Sequence, residues 1–199
     1  MKDTRQILIL GLLGAVAIGI GLWAGLQSTQ QAPVKGYPDL GGDFTLTSDK
    51  GPVSLEELRG KVVPIYFGFT FCPDVCITSL SAMAAGLKQL SAAEQAEVQP
   101  LFITIDPERD DPARVGEYAR YFHPDFIGLT GSVDEITTVA KRHFVIFEKV
   151  PLDDSEMGYT MDHSSIVYVV GRDGVIKSLI HHGEKPEAIA NALREALAG

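Results

Sequence analysis

The sequence predicts an α/β domain, a sheet covered by helices on both faces, preceded by a single membrane-spanning helix. Three observations carry that reading. From residue 61 onward, short apolar segments rich in β-branched and aromatic residues alternate with segments of helical period, the pattern of strands and crossover helices in an open sheet. Near the end, the alternation gives way to two strands around "GRDG", a hairpin signature. And residues 7–26, "ILILGLLGAVAIGIGLWAGL", contain no charge.

That uncharged run makes about 30 Å of helix at ~1.5 Å per residue, the hydrocarbon thickness of a bilayer. Trp23 near its far end suits an interfacial anchor. A cleaved signal peptide has an apolar region of only about 7 to 15 residues. "AVA" at 15–17 resembles a cleavage site, but the run continues through Leu26. No cysteine lies just after it to carry a lipid, and the run has no polar face to suit a surface helix of a core. Lys2 and Arg5 precede the span and only Lys35 follows closely, so residues 1–6 are expected in the cytoplasm and the globular part in the periplasm or an equivalent compartment. Residues 27–38, "QSTQQAPVKGYP", read as a polar linker, and 39–199 as the domain. Beyond residue 26 the chain keeps 15 basic and 25 acidic side chains, a balance of −10. That sign disfavours nucleic-acid binding and would suit a basic protein face.

The domain's elements follow in order. "GGDFTLTSDKGPVSLEEL" (41–58) alternates around turn residues and predicts a hairpin followed by a helical turn at Leu55–Leu58. "KVVPIYFGF" (61–69) predicts a buried strand and "ITSLSAMAAGLKQL" (77–90) a helix, with Leu80, Met83, Leu87 and Leu90 on one face. "VQPLFITID" (98–106) is the next buried strand. Asp111 as cap and Pro112 at the first position open a helix over "DPARVGEYARYF". "FIGLTG" (126–131) is a short strand, Ser132 caps a helix over "SVDEITTVAKRHF", and "VIFEKVPL" (145–152) is extended. The hairpin over 164–182 and a helix over "KPEAIANALREALAG" close the chain.

Cys72 and Cys76 are the only cysteines, in "FTFCPDVCIT" (69–78), at the carboxyl end of the first core strand. Open α/β folds place their sites at that edge. With Pro73 in the first turn, Cys72 is expected at or before the helix start and Cys76 one turn in. Residues four apart share a helix face with Cβ atoms about 6 Å apart, so both sulfurs can point into one volume. The helix N-terminus favours thiolate over thiol. Two such thiolates can form a disulfide or share a soft metal ion. A purely structural bridge gains little from closing so short a loop.

A third ligand would decide between them. Among His123, His143, His163, His181 and His182, only His163 precedes a strand expected beside the first core strand. His181 and His182 end a strand and read as solvent-facing, while His123 and His143 read as helix-end residues. Met157 and Met161 flank the same loop; thioethers suit Cu(I), though methionine is chiefly a packing residue.

Taken together, "GGDFTLTSDKGPVSLEELRGKVVPIYFGFTFCPDVC", "DPERDDPARVGEYARYFHPDFIGLTG" and "MDHSSIVYVVGRDG" resemble the Sco (SenC) family of membrane-anchored copper proteins. The resemblance runs from about Gly41 to the C-terminus. It implies a thioredoxin-like fold with an N-terminal hairpin extension, and a copper ion, Cu(I) or Cu(II), held by Cys72, Cys76 and His163. It also implies help in assembling the binuclear copper (CuA) site of cytochrome c oxidase subunit II, with other periplasmic copper carriers or thiol reductants as further partners. Ile77 stands where the family often has proline after the second cysteine; the helix start would feel this and the ligand set would not.

The residues agree with that chemistry. Two thiolates and an imidazole form a soft, three-coordinate set suited to Cu(I), and zinc could use the same ligands with a water as fourth. Asp162 is read as either orienting the imidazole or as a turn residue. Asp74 is expected to stabilise the helix start, and "DPERDD" (106–111) to be a solvated loop and helix cap. Two functions follow: a copper chaperone without turnover, or an enzyme, a membrane-anchored thiol-disulfide reductase in which Cys72 and Cys76 are the redox pair. Thioredoxin-like reductases keep a cis-proline beside the thiols. Here no proline occurs between Pro151 and Pro186, and His163 stands near the expected place, which favours metal over exchange. A peroxidase fits worse, because Thr70 lies two residues before Cys72 and the peroxiredoxin spacing is three.

Overall fold

A computed structural model describes residues 36–199 apart from residue 154. The expected span at 7–26 lies outside the described residues; among those described, no helix is long and apolar enough to cross a membrane. β1 (Thr45–Ser48) and β2 (Gly51–Ser54) form the expected hairpin, followed by a 3₁₀ turn at Glu56–Leu58. Tyr37, read as part of the linker, donates its amide to the Ile176 carbonyl at 2.7 Å, so contacts with the domain begin before residue 39.

The centre of the fold is β3 (Val63–Gly68), buried at every position because both its faces are covered. Parallel to it lie β4 (Leu101–Thr104) and then β5 (Ile127–Leu129); on its other side β8 (Ile166–Val170) runs antiparallel to it, and β9 (Ile176–His181) antiparallel to β8. The helices are α1 (Val75–Leu87), α2 (Ala92–Ala96), α3 (Pro112–Phe122), α4 (Val133–Arg142) and α5 (Pro186–Leu197). Tyr66, Phe102 and Val167 stand side by side in register. Their face meets α1 and α3, where Phe102 stacks on Tyr118, and α5 packs on α1 and β8. Phe67 and Tyr168 point the other way and enclose His143, the residue after α4, together with Phe44 from the β1 side.

His143 is therefore no ordinary helix-end residue. It is 1% exposed; its Nδ1–H donates to the Val139 carbonyl at 2.8 Å while Nε2 has no partner. Burial pushes its pKa down. Phe144 follows in the left-handed region (φ 53°) with its ring 74% exposed. Its amide and that of Val145 return to the carbonyls of Lys141 and Ala140, the helix-ending loop that usually carries glycine.

Asp111 and Ser132 cap α3 and α4 as their sequences predict, the latter in a reciprocal box with Glu135. Two elements escape the sequence pattern. α2 is a short helix with its own Ser91–Glu94 box. β6 (Phe147–Pro151) is paired with a strand that the sequence left as loop, β7 (Tyr159–His163), in register Phe147↔His163. This second hairpin lies outside the five-stranded sheet.

Candidate metal centre

Gly68 ends β3, and the chain then turns through Phe69–Cys72 into α1. The helix begins at Val75 rather than at Pro73: Asp74 is the cap residue, but its side chain accepts no capping bond. Cys72 therefore stands outside the helix and Cys76 is its second residue. The expected common volume still forms, because the Cys76 amide, free at the helix start, donates to Cys72 Sγ at 3.4 Å. Cys76 is fully buried, Cys72 is 6% exposed, and they form no disulfide. Ile77 is exposed on the far side of the turn.

Gly68 has a specific reason to be glycine: a β-carbon there would lie 2.8 Å from Cys76 Sγ and 3.0 Å from the Tyr66 ring. The sulfur packs so close to that position that a β-carbon there would collide with it. Because β8 runs antiparallel to β3, the turn leading into β8 arrives beside this strand end, as the sequence reading required. It brings His163, whose Nε2 lies 3.5 Å from Cys76 Sγ. The two Sγ atoms and a His163 ring nitrogen all lie within 4.8 Å of one another.

Electrostatics divides the two thiols. The Cys72 thiol is held down to about 4. The hydrogen bond from the Cys76 side chain is the largest cause, and the amides of Asp74 and Cys76 add to it against burial. Cys76 is pushed up by its bond to Cys72 and by burial. Without metal the pair is a thiolate and a thiol sharing a proton, with the thiolate on the more accessible sulfur. His163 Nδ1–H donates to the Ser164 carbonyl at 3.0 Å, which leaves the Nε2 lone pair free to face the sulfurs, as a metal-binding imidazole requires. Its ring packs edge-on against Tyr66 and Phe69. Asp162 does not orient it: strand alternation puts Asp162 on the opposite face of β7, exposed and opposite Glu148. Met161 is buried on the same face of β7 as His163, whereas Met157 is 40% exposed.

The segment "DPERDD" is corrected by the structure. It is not a solvated loop: Asp106 is 1% exposed and Asp110 fully buried. Asp110 accepts from the Thr70 amide at 3.0 Å and from the Thr104 hydroxyl at 2.6 Å, fixing the turn that carries Cys72. Asp106 pairs with Arg109 and accepts from the Tyr159 hydroxyl at 2.8 Å. Arg109 donates to the Tyr159 carbonyl at 3.0 Å and lies 3.7 Å over its ring. One loop thus holds both the cysteine turn and the start of the strand that ends in His163. The available sequence signal was position: these acids directly follow an entirely buried strand, at the sheet edge where sites form.

The remaining histidines do not join the cysteines. His123 ends α3 beside Asp125, His181 is exposed, and His182, though exposed, has Nδ1 3.0 Å from the Ser79 hydroxyl.

An α/β sheet with two thiols at a helix start and an imidazole facing them defines a thioredoxin-like domain with a soft-metal or thiol-exchange centre. The chain belongs to the SCO1/SenC family, whose model matches residues 32–198. It is 36% identical to a SCO2-like protein of Rickettsia felis over 98% of this chain and 99% of that one. It is 34% identical to the mitochondrial SCO2 homolog of Homo sapiens, over 97% of this chain and 75% of that one. Among solved structures it resembles Arabidopsis thaliana ScoI with copper bound (TM-score 0.74, 35% identity, covering 80% of this chain and 98% of that one). It also resembles BsSco, described as a member of the Sco family of cytochrome c oxidase assembly proteins with a disulfide switch (TM-score 0.61, 27% identity, 82% and 97% covered).

Proposed function

We propose that this chain is a copper metallochaperone that holds one copper ion through Cys72, Cys76 and His163 and helps assemble the binuclear copper (CuA) site of cytochrome c oxidase subunit II. The observation that carries this reading is the convergence of three soft or borderline donors within 4.8 Å, with the imidazole tautomer already set for ligation. Two thiolates suit Cu(I), and adding the imidazole makes a site that can hold Cu(II) as well. A copper-bound relative supports the choice of metal, and the description of BsSco as a member of a family of cytochrome c oxidase assembly proteins supports a role in that assembly.

The expected arrangement in the cell is a single anchor at residues 7–26, a short cytoplasmic N-terminus and the domain at 39–199 in the periplasm, supported by the charge flanking the apolar run. Titration of the purified chain with Cu(I) against a competing chelator tests the reading: one ion per chain bound by the reduced form is expected. Equal binding by the oxidised, disulfide-bonded form would overturn thiolate ligation.

The low pKa of Cys72 favours a second reading, a membrane-anchored thiol-disulfide reductase for the acceptor's copper-site cysteines. The Cys72 thiolate would attack a target disulfide, releasing one target thiolate and forming a mixed disulfide. Cys76 would then attack Cys72 Sγ, releasing the second target thiol and leaving a Cys72–Cys76 disulfide. The same sulfurs serve both roles, so oxidation of the pair removes the copper site. Mixing the reduced chain with subunit II oxidised at its copper-site cysteines separates the two: stoichiometric appearance of target thiols supports exchange, and none excludes it.

A further inference from the structure

The cysteines sit on α1 and its lead-in, and His163 sits on a separate hairpin. Something has to set the distance between Cys76 and His163. Side-chain hydroxyls join the two parts. Ser79, three residues after Cys76 on α1, has Oγ 3.3 Å from Ser165 Oγ, two residues after His163. Ser165 Oγ lies 2.8 Å from the Tyr66 hydroxyl at the end of β3, and Ser79 Oγ lies 3.0 Å from His182 Nδ1 where β9 ends. The row Tyr66–Ser165–Ser79–His182 thus links β3, the histidine turn, the cysteine helix and β9.

We propose that Ser79 and Ser165 are positioning residues for His163, holding its imidazole at the distance that copper ligation by Cys76 requires; the proposal rests on the copper reading above. Ser79 occupies a buried helical position (8% exposed) where alanine is the better helix former and has no hydroxyl to desolvate. The hydroxyl therefore has to be explained by its bonds. Both serines donate and accept, so the row satisfies each member in turn, and a satisfied, partly buried row is stiffer than its separate bonds. The Asp106 and Arg109 bonds hold the start of β7 at Tyr159, four residues before His163, and leave its far end to this row. The β6–β7 pairing sets His163 against Phe147, and Ser164 bonds Ile146 through both backbone and side chain. All of these contacts lie within the peripheral hairpin and its lead-in, and none reaches α1. Besides the ligand contact of 3.5 Å itself, the Ser79–Ser165 contact is the hydrogen bond that joins α1 to the His163 turn. A site is effective when its ligands are held to within about 0.5 Å, and this link is where that tolerance is met. Tyr66, Ser79, Ser165 and His182 all line a cavity of about 210 Å³ that opens to solvent, and the exposed His182 is the outer end of the row.

The experiment uses the full chain in detergent, with copper affinity measured by chelator competition and the His163 ring nitrogens observed by NMR without metal. Ser79→Ala and Ser165→Ala are each expected to lower copper affinity roughly 10-fold, at the lower end of the loss usual for groups that orient a ligand. Because they act as one unit, the double variant should lose little more than either single. Ser165→Thr, which keeps the hydroxyl, should restore binding. In a His163→Ala background, Ser79→Ala should cost nothing further. In the metal-free chain both alanine variants should shift the His163 Nε2 resonance away from its sulfur-facing value. If Ser79→Ala lowers affinity equally with and without His163, the serines act through the cysteine helix or the fold and the proposal is overturned. It is also overturned if the alanine variants leave both affinity and resonance unchanged. Failure of the wild-type chain to bind copper would instead overturn the copper reading, and the metal-free resonances would then decide the positioning role alone.

Discussion

The two halves of the metal centre are built to different standards. The cysteine half belongs to the core: β3 is wholly buried, Cys76 fits the space left by Gly68, and Asp110 fixes the turn around Thr70. The histidine half ends a two-stranded hairpin outside the main sheet, with several exposed positions, held down by Asp106, Arg109 and the serines. An isolated two-stranded hairpin is marginal in water, so its placement depends on those side-chain links. The contrast suggests a division of labour in the proposed copper site: two sulfurs with a fixed geometry would set the basic affinity, and the imidazole, on a separately held arm, would be the ligand withdrawn when the metal moves on.

The largest expected effects strike the rigid half. Gly68→Ala changes no ligand, yet its β-carbon would need the space of Cys76 Sγ. Copper affinity should fall more than about 100-fold, beyond the usual loss for a group outside the ligand set, and as far as in Cys76→Ala. Near-normal binding in Gly68→Ala would show that the sulfur can move, and the proposed contrast would fail. Removing the arm should cost less. His163→Ala is expected to lower affinity about 100-fold while two thiolates still retain some Cu(I); calorimetry with both oxidation states should show Cu(II) retained worse than Cu(I).

The next effect is a pH profile. Cys72, held down to about 4 by the Cys76 hydrogen bond, stays a thiolate far below the range of an ordinary cysteine. Its alkylation rate by iodoacetamide in the metal-free chain should stay flat as pH falls from 8 to about 5 and drop only near 4, whereas a free thiol loses rate below about 8.5. A drop beginning near pH 8 would remove the proposed thiolate. Arg109→Met tests the arm's attachment. Losing its bonds to Asp106 and Tyr159 should cost the hairpin about 1.5 to 3 kcal/mol, as for hydrogen bonds to charged groups. Hydrogen exchange should quicken in β6 and β7 and leave β3 and β4 unchanged; uniform quickening would mean the arm is not a separate unit.

The smallest effect lies remote from the centre. His143 has its folded pKa below the ordinary 6.5 because it is buried. The folded state therefore resists the proton that the unfolded chain accepts, and this contribution is present above pH 6.5 and is lost progressively as pH falls from 6.5 through the lower folded value. His143→Phe should flatten the stability curve between about pH 7 and 5, the titration range of an ordinary histidine.

The convergence of the proposed ligands was legible because their chemistry is written in spacing: two thiols at a strand-to-helix junction, and a histidine just before a strand bound to lie beside it. The main sheet was legible for a similar reason, since apolar runs such as Val63–Gly68 have no other place to go. β7 was not, because "YTMDH" has a weak alternation and is a strand only by virtue of pairing with β6. Asp106 and Asp110 misled because a run of charges normally faces water; only the surrounding Thr70, Thr104, Arg109 and Tyr159, brought together from three segments, make their burial tolerable. Ser79 and Ser165 gave no signal at all, being ordinary residues whose meaning lies in a contact spanning 86 positions.

The left-handed Phe144 leaves an opening for protein engineering. Its backbone conformation costs a non-glycine residue about 1 to 2 kcal/mol, and its exposed ring has little burial to set against that cost. Phe144→Gly should raise the melting temperature by a few degrees, since relief of about 1 kcal/mol is worth about 2 to 4 °C in a domain of this size. The gain would come at a position outside the ligand set, giving a sturdier chain on which destabilising variants of the arm could still be purified and measured.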